Sequence, residues 1–287
     1  MFGGSQPPAN SQEDEKAMNQ LSVYLSRQIH PIYLSALVSG CRKLEKLHLA
    51  GCHFTESASL RQLARCTTLR HLDLSRVTNI SASELALGLS GCPLLVQLFV
   101  AELEPPVEQL VPPTGLPNLV SLNVNQSGLT NNSLRRLPRL FPKLRSLSLQ
   151  GCRSVKEDGL LSYLPKLRHL DALDLSGVSD VTEAVLAKLK NCHLTKLRLG
   201  STGEGDVSPS QKGIRKLALE CKSLEVLWLD VSADVLNSIA GTLKRQISSQ
   251  RILVLCSGQN GAANSSVSEP QCYPHNIHVV DANSVPW

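Results

Sequence analysis

Aliphatic residues recur along this chain in a short fixed phrase, L-x-x-L-x-L, with mostly polar residues between them. The phrase starts at Leu44, Leu47 and Leu49 and returns from Leu69, Leu95, Leu119, Leu144, Leu170, Leu194 and Leu224, with Val100 and Val124 in the last slot of two copies. A weaker ninth copy holds Ile252 and Leu255. The first positions are 25, 26, 24, 25, 26, 24, 30 and 28 residues apart. Such regularity marks an internal repeat.

The end of each phrase alternates with the period of a strand, so Leu47 and Leu49 are expected on one face and Lys46, His48 and Ala50 on the other. One such strand cannot bury its leucines alone. Parallel stacking gives each leucine a neighbour above and below. Between phrases, residues 57–65, 82–89, 157–164 and 182–190 carry leucines at helical spacing, which predicts a helix in each interval. Thr182 and Asp158 are the expected helix starts. The fold class predicted is α/β: a leucine-rich-repeat solenoid, or horseshoe, with parallel strands on the concave face and helices on the convex face.

Proline and glycine mark the irregular places. Residues 104–117, with Pro105, Pro106, Pro112, Pro113 and Pro117, are expected not to form a regular helix. Residues 1–20 are expected to be disordered. Residues 21–40 should form an incomplete first repeat, interrupted by Pro31. The repeat domain is assigned to 21–257, with an extra loop at 200–213. Residues 258–287 read as a flexible tail, in which Ile277, Val279 and Val280 offer a last strand.

Composition changes the picture in two ways. Aromatic residues are only 3% of the chain, so the core must be aliphatic. The net charge of +5, from 29 basic and 24 acidic residues, reads as a mild excess spread along the chain. With no basic stripe of interleaved aromatics, no nucleic-acid partner is expected. The uncharged residues 85–101 fit repeat phasing better than a bilayer span, so no membrane is expected. The first twenty residues lack the apolar core of a secretory signal. The nine cysteines form no even framework and read as thiols. A cytoplasmic or nuclear monomer is the expectation.

Candidate chemistry is sparse. Gly200, Gly203 and Gly205 do not follow a dinucleotide or phosphate-loop order. His48, Cys52 and His53 lack a second close pair for a metal. Cys192-His193 falls in a recurring cysteine slot rather than in a recognisable nucleophile pair. No catalytic residue, cofactor or metal site is assigned. Ser208-Pro209 is a candidate proline-directed modification site in the extra loop.

What remains is a surface. The outward positions form columns across the strands. The central column reads His48, Asp73, Phe99, Asn123, Ser148, Asp174, Arg198 and Trp228. Its flanks supply His71, Lys196, Asn125 and Asp230. Phe99 and Trp228 are expected to face solvent, and aromatics and arginine are common anchors of protein interfaces. These twelve residues are the predicted contact with a protein partner.

Cysteine stands three residues before the first leucine at Cys41, Cys66, Cys92 and Cys221, two before it at Cys192, and after the strand in Gly51-Cys52 and Gly151-Cys152. This pattern, as in C-R-K-L-E-K-L-H-L-A-G-C, resembles the cysteine-containing repeats of the F-box/LRR protein family over about residues 35–257. The resemblance implies a non-catalytic substrate receptor of an SCF-type E3 ubiquitin ligase, whose repeats hold a target for ubiquitination and proteasomal degradation. In that family an N-terminal F-box docks on Skp1 and thereby on a cullin. Residues 1–40 contain no recognisable F-box, so Skp1 and cullin are expected partners only of a longer form. The alternative is an F-box-less scaffold or competitive inhibitor acting apart from the ligase.

Overall fold

The computed structural model describes residues 20–22, 28–200, 210–246, 253–257 and 277–281. Among them an eleven-stranded, wholly parallel sheet runs the length of the molecule. Its strands are β1 (Gln20–Ser22), β3 (Lys46–His48), β5 (His71–Asp73), β6 (Gln97–Phe99), β7 (Ser121–Asn123), β8 (Ser146–Ser148), β9 (Ala172–Asp174), β10 (Lys196–Gly200), β11 (Val226–Asp230), β12 (Leu253–Ser257) and β13 (Ile277–Asp281). From β3 onward they lie beside one another in chain order, each one repeat further on. β2 (Gln28–Ile29) and β4 (His53–Phe54) form a separate parallel pair.

The register places like with like. Leu47, Leu72, Leu98, Leu122, Leu147, Leu173, Leu197, Leu227 and Leu255 form one unbroken row. Every member of that row is at most 1% exposed. Each fully buried leucine contributes about 1.5–3 kcal/mol from removal of apolar surface, before the entropy of ordering is subtracted. The row and the leucines two places on form the inner wall of one continuous core.

Outside the strands lie the helical segments Pro31–Gly40, Ala82–Ser90, Val107–Leu110, Asn131–Leu140, Glu157–Tyr163, Glu183–Leu189, Gln211–Glu220 and Ala233–Gln246. Ser57–Arg65 is a 3-10 helix rather than an α-helix. Pro31 opens its helix instead of interrupting it, since a first-turn proline loses no helical hydrogen bond. The proline-rich 104–117 segment yields only the four-residue helix Val107–Leu110. Thr182 caps its helix by accepting from the Val185 amide. Asp158 does not cap. Asn131 of the preceding repeat accepts from the Lys156 amide at 2.8 Å and donates to Asp158 at 2.6 Å, so that helix borrows its start from its neighbour.

The turns after six successive strands of the sheet, β3 and β5 to β9, are left-handed at the same phase: Gly51, Arg76, Glu102, Gln126, Gly151 and Gly177 all have φ between +51° and +74°. This explains the glycine of the Gly-Cys pairs, because glycine enters that region without steric cost. The cysteine that follows turns inward. Cys152 Sγ donates to the Val124 carbonyl of the previous repeat at 3.1 Å. Cys92, at the helix-to-strand corner, does the same with Leu63 at 3.3 Å. Burial raises the Cys66 thiol to about 11 and Cys92 to about 12, which keeps both protonated and inert at neutral pH. The Cys192 thiol is also raised by burial.

Ile277, Val279 and Val280 do form a strand, β13, paired with β12. Residues 1–19, Gly203, Gly205 and Ser208-Pro209, and the 258–271 link lie outside the described residues. Among the described residues no helix is long and apolar enough to cross a membrane.

Candidate protein-binding surface

The central column read from the sequence is a physical row. His48, Asp73, Phe99, Asn123, Ser148, Asp174, Arg198 and Trp228 pair one to the next across eight consecutive strands. His71 and Lys196 lie in the flanking row that runs from Lys46 to Val226. Asn125 and Asp230 lie on the other flank, where amide-to-carbonyl bonds such as Glu102 to Asn125 continue the ladder past the strand ends.

The two ends of this row differ in exposure. From His48 to Asn125 the six candidate residues are half-exposed. His48 Nδ1 lies 3.9 Å from Asp73 Oδ2, and His71 Nδ1 lies 2.9 Å from Gln97 Oε1. Phe99 stands between Asp73 and Asn123 with polar neighbours on both sides.

From Ser148 onward the row is mostly buried, with Arg198 part-exposed as the exception. Ser148 is 6% exposed and Asp174 4%. The expectation that Trp228 faces solvent is corrected: it leaves the sheet on the concave side but is only 3% exposed. Alternation fixes the face from which a side chain departs, not whether that face reaches water. Here the ring sits in register with Arg198 and two residues before Asp230, whose own side chain is 8% exposed.

The hydrogen-bonded side chains of this end turn to their own strand-end turn or back to the preceding repeat. Asp174 Oδ1 accepts from the Ser176 amide at 2.9 Å and from its hydroxyl at 2.5 Å. Ser148 Oγ donates to Asn125 Oδ1 at 2.6 Å. Arg198 approaches Asp230 at 3.7 Å, an ion pair too long for a hydrogen bond. Arg198 Nε and both Asp230 carboxyl oxygens are buried without a hydrogen-bond partner. Burial pushes the Asp174 carboxyl above its ordinary range, opposed by its Ser176 hydrogen bonds and by Arg198. Burial also raises Asp230, against the pull of Arg198 and with a further push from the Asp174 charge.

One structural duty escaped sequence reasoning. Asp73, Asn123 and Asp174 each accept, through Oδ1, the amide two residues on, at 2.9–3.0 Å. These Asx turns lead the chain from strand into the left-handed corner. Part of the acceptor capacity of three candidate contact residues therefore serves the fold. The recurring Asp/Asn two places before Ser or Asn was the available signal, visible in D-L-S at Asp73 and Asp174 and in N-V-N at Asn123.

No protein-family model matches the chain. Among solved structures, it is similar to Rad7 of the yeast Rad7–Elc1 complex, with TM-score 0.55 and 16% identity over 92% of this chain and 74% of that one. It is similar to the leucine-rich-repeat-containing protein LegL7 from Legionella pneumophila, with TM-score 0.53 and 19% identity over 97% and 89% of the two chains. It also matches the structure of the TLR13–ssRNA13 complex, with TM-score 0.52 and 21% identity over 84% of this chain and 31% of that chain. With these neighbours and its own parallel ladder, the chain has the α/β horseshoe fold of leucine-rich-repeat proteins.

Proposed function

We propose that this chain is a non-catalytic protein-binding module whose partner seats on the open, N-terminal half of the concave face. The observation that carries this reading is the half-exposed row His48, Asp73, Phe99 and Asn123, with His71 and Asn125 beside it. An accessible aromatic among hydrogen-bonding side chains has the make-up of an interface centre. Lys196 and Arg198 are part-exposed between buried neighbours on the adjoining strands, while Ser148, Asp174, Trp228 and the Asp230 side chain support the surface from within.

The finer reading is a target receptor of an SCF-type ubiquitin ligase. The cysteine-spaced repeats support it, and so does the fold shared with Rad7, which is seen in complex with Elc1. The receptor would contribute proximity, holding the target where ubiquitin transfer takes place.

Photo-crosslinking from positions 71 and 99 in cells tests the surface, with position 61 on the outer side as control. The expected result is one protein crosslinked from both concave positions and absent from 61. Crosslinks from 61 alone would remove the concave-face reading. Co-purification of Skp1 and a cullin with a longer natural form tests the ligase reading. Their absence would leave the scaffold alternative.

A further inference from the structure

The basic excess is not spread evenly, contrary to the expectation from composition. Residues 131–170 hold nine lysines and arginines against two carboxylates, a net of +7, while the whole chain carries +5. The rest of the molecule is therefore slightly acidic.

The fold gathers part of this charge at a groove on the outer side. The proline-rich connection supplies only Val107–Leu110 where other repeats have a longer helix, and the flank of Asn131–Leu140 beside it is left partly uncovered. A hollow of about 600 Å³ results, lined by Glu108, Pro113, Arg135, Arg136, Arg139 and Leu140. Its floor is fixed. The Leu116 amide donates to the Leu140 carbonyl at 2.8 Å, and a Cβ on Gly115 would stand 2.2 Å from that oxygen. Arg135, Arg136 and Arg139 are all exposed, and no described carboxylate forms an ion pair with any of the three. A separate, smaller hollow of about 160 Å³ is lined in part by Pro138, Lys166, Arg168 and His169.

We propose that this groove binds an acidic segment of a partner protein, its carboxylates or phosphorylated hydroxyls held by Arg135, Arg136 and Arg139. Guanidinium groups match both kinds of anion with paired N–H donors. Glu108 stands in the groove wall and is tied to the helix that carries the arginines. Its Oε1 accepts from the Ser133 hydroxyl at 2.9 Å, while its Oε2 is buried without a hydrogen-bond partner. The groove lining offers no aromatic ring on which a base would stack. This site lies away from the concave row and stands or falls independently of it.

The experiment is fluorescence anisotropy on the whole chain. The probes are a labelled ten-residue peptide of alternating glutamate and serine, its phosphoserine form, and a labelled single-stranded oligonucleotide. The expected result is binding of at least one peptide that weakens with added salt. The triple change Arg135→Ser, Arg136→Ser, Arg139→Ser should reduce it more than about tenfold, roughly 1.4 kcal/mol or more. A control of equal charge, Arg61→Ser, Lys222→Ser, Arg245→Ser, should retain most of it, and circular dichroism should show both variants folded. Comparing the two peptides tells carboxylate from phosphate recognition, either of which supports the proposal. No binding of either peptide, equal loss in the two triple variants, or tighter binding of the oligonucleotide would overturn it.

Discussion

The two halves of the concave row share one ladder and one core, yet present different surfaces. From His48 to Asn125 the candidate residues are all partly exposed. From Ser148 to Trp228 the central row is buried except at Arg198, whose side chain is 22% exposed, and Asp174 is bonded within its own turn to Ser176. A leucine repeat thus specifies the row and its order. Which stretch of the row remains available to a partner depends on the size and pairing of side chains that the repeat leaves free.

The largest expected effects should be blind to this difference. Leu72→Ala and Leu173→Ala remove equivalent, fully buried side chains from the two halves. Each should cost about 2–5 kcal/mol in urea unfolding. A much smaller loss in either half would mean that its part of the core is loosely packed.

Smaller changes should separate the halves. Asp174→Ala strands the buried Ser176 amide and hydroxyl and should cost about 1–3 kcal/mol. Asp73→Ala removes a comparable turn bond at a wetter position, where water replaces the lost acceptor. Its cost should be distinctly smaller. Equal costs would break the contrast between closed and open ends.

Burial raises the carboxyls of Asp174 and Asp230 above their ordinary 3.8. Between that value and the raised one, the folded chain holds more protons than the unfolded chain. Stability from these groups therefore falls as pH rises through that window and returns as pH is lowered toward 3.8. Asp230→Asn should accordingly stabilise the protein at pH 7, with the gain fading in acid. Unfolding midpoints across the acid range check the sign. A variant less stable than the parent at neutral pH would show Asp230 to be well paired instead.

Much of the fold was legible because the repeat encodes register. Once Leu47, Leu72 and Leu98 are set side by side, His48, Asp73 and Phe99 must align as well. What could not be read was anything decided across repeats. The Lys156 amide at the start of Glu157–Tyr163 is met by Asn131, 25 residues before it, and no local pattern announces that bond. Trp228 was placed on the correct face, but its burial depends on three-dimensional neighbours rather than on alternation. The clustering of charge at 131–170 was present in the sequence, but its meaning emerged only when the short Val107–Leu110 helix left a groove beside Arg135, Arg136 and Arg139.

One row is more open at its N-terminal end than at position 228, and tryptophan quenching tests this difference most directly. In the Trp287→Phe variant, emission from Trp228 is compared with emission from a chain carrying Phe99→Trp, Trp228→Phe and Trp287→Phe. Blue-shifted light that resists acrylamide is predicted for the former, and readily quenched light for the latter. Equal quenching of the two, or stronger quenching at position 228, would contradict the division of the surface.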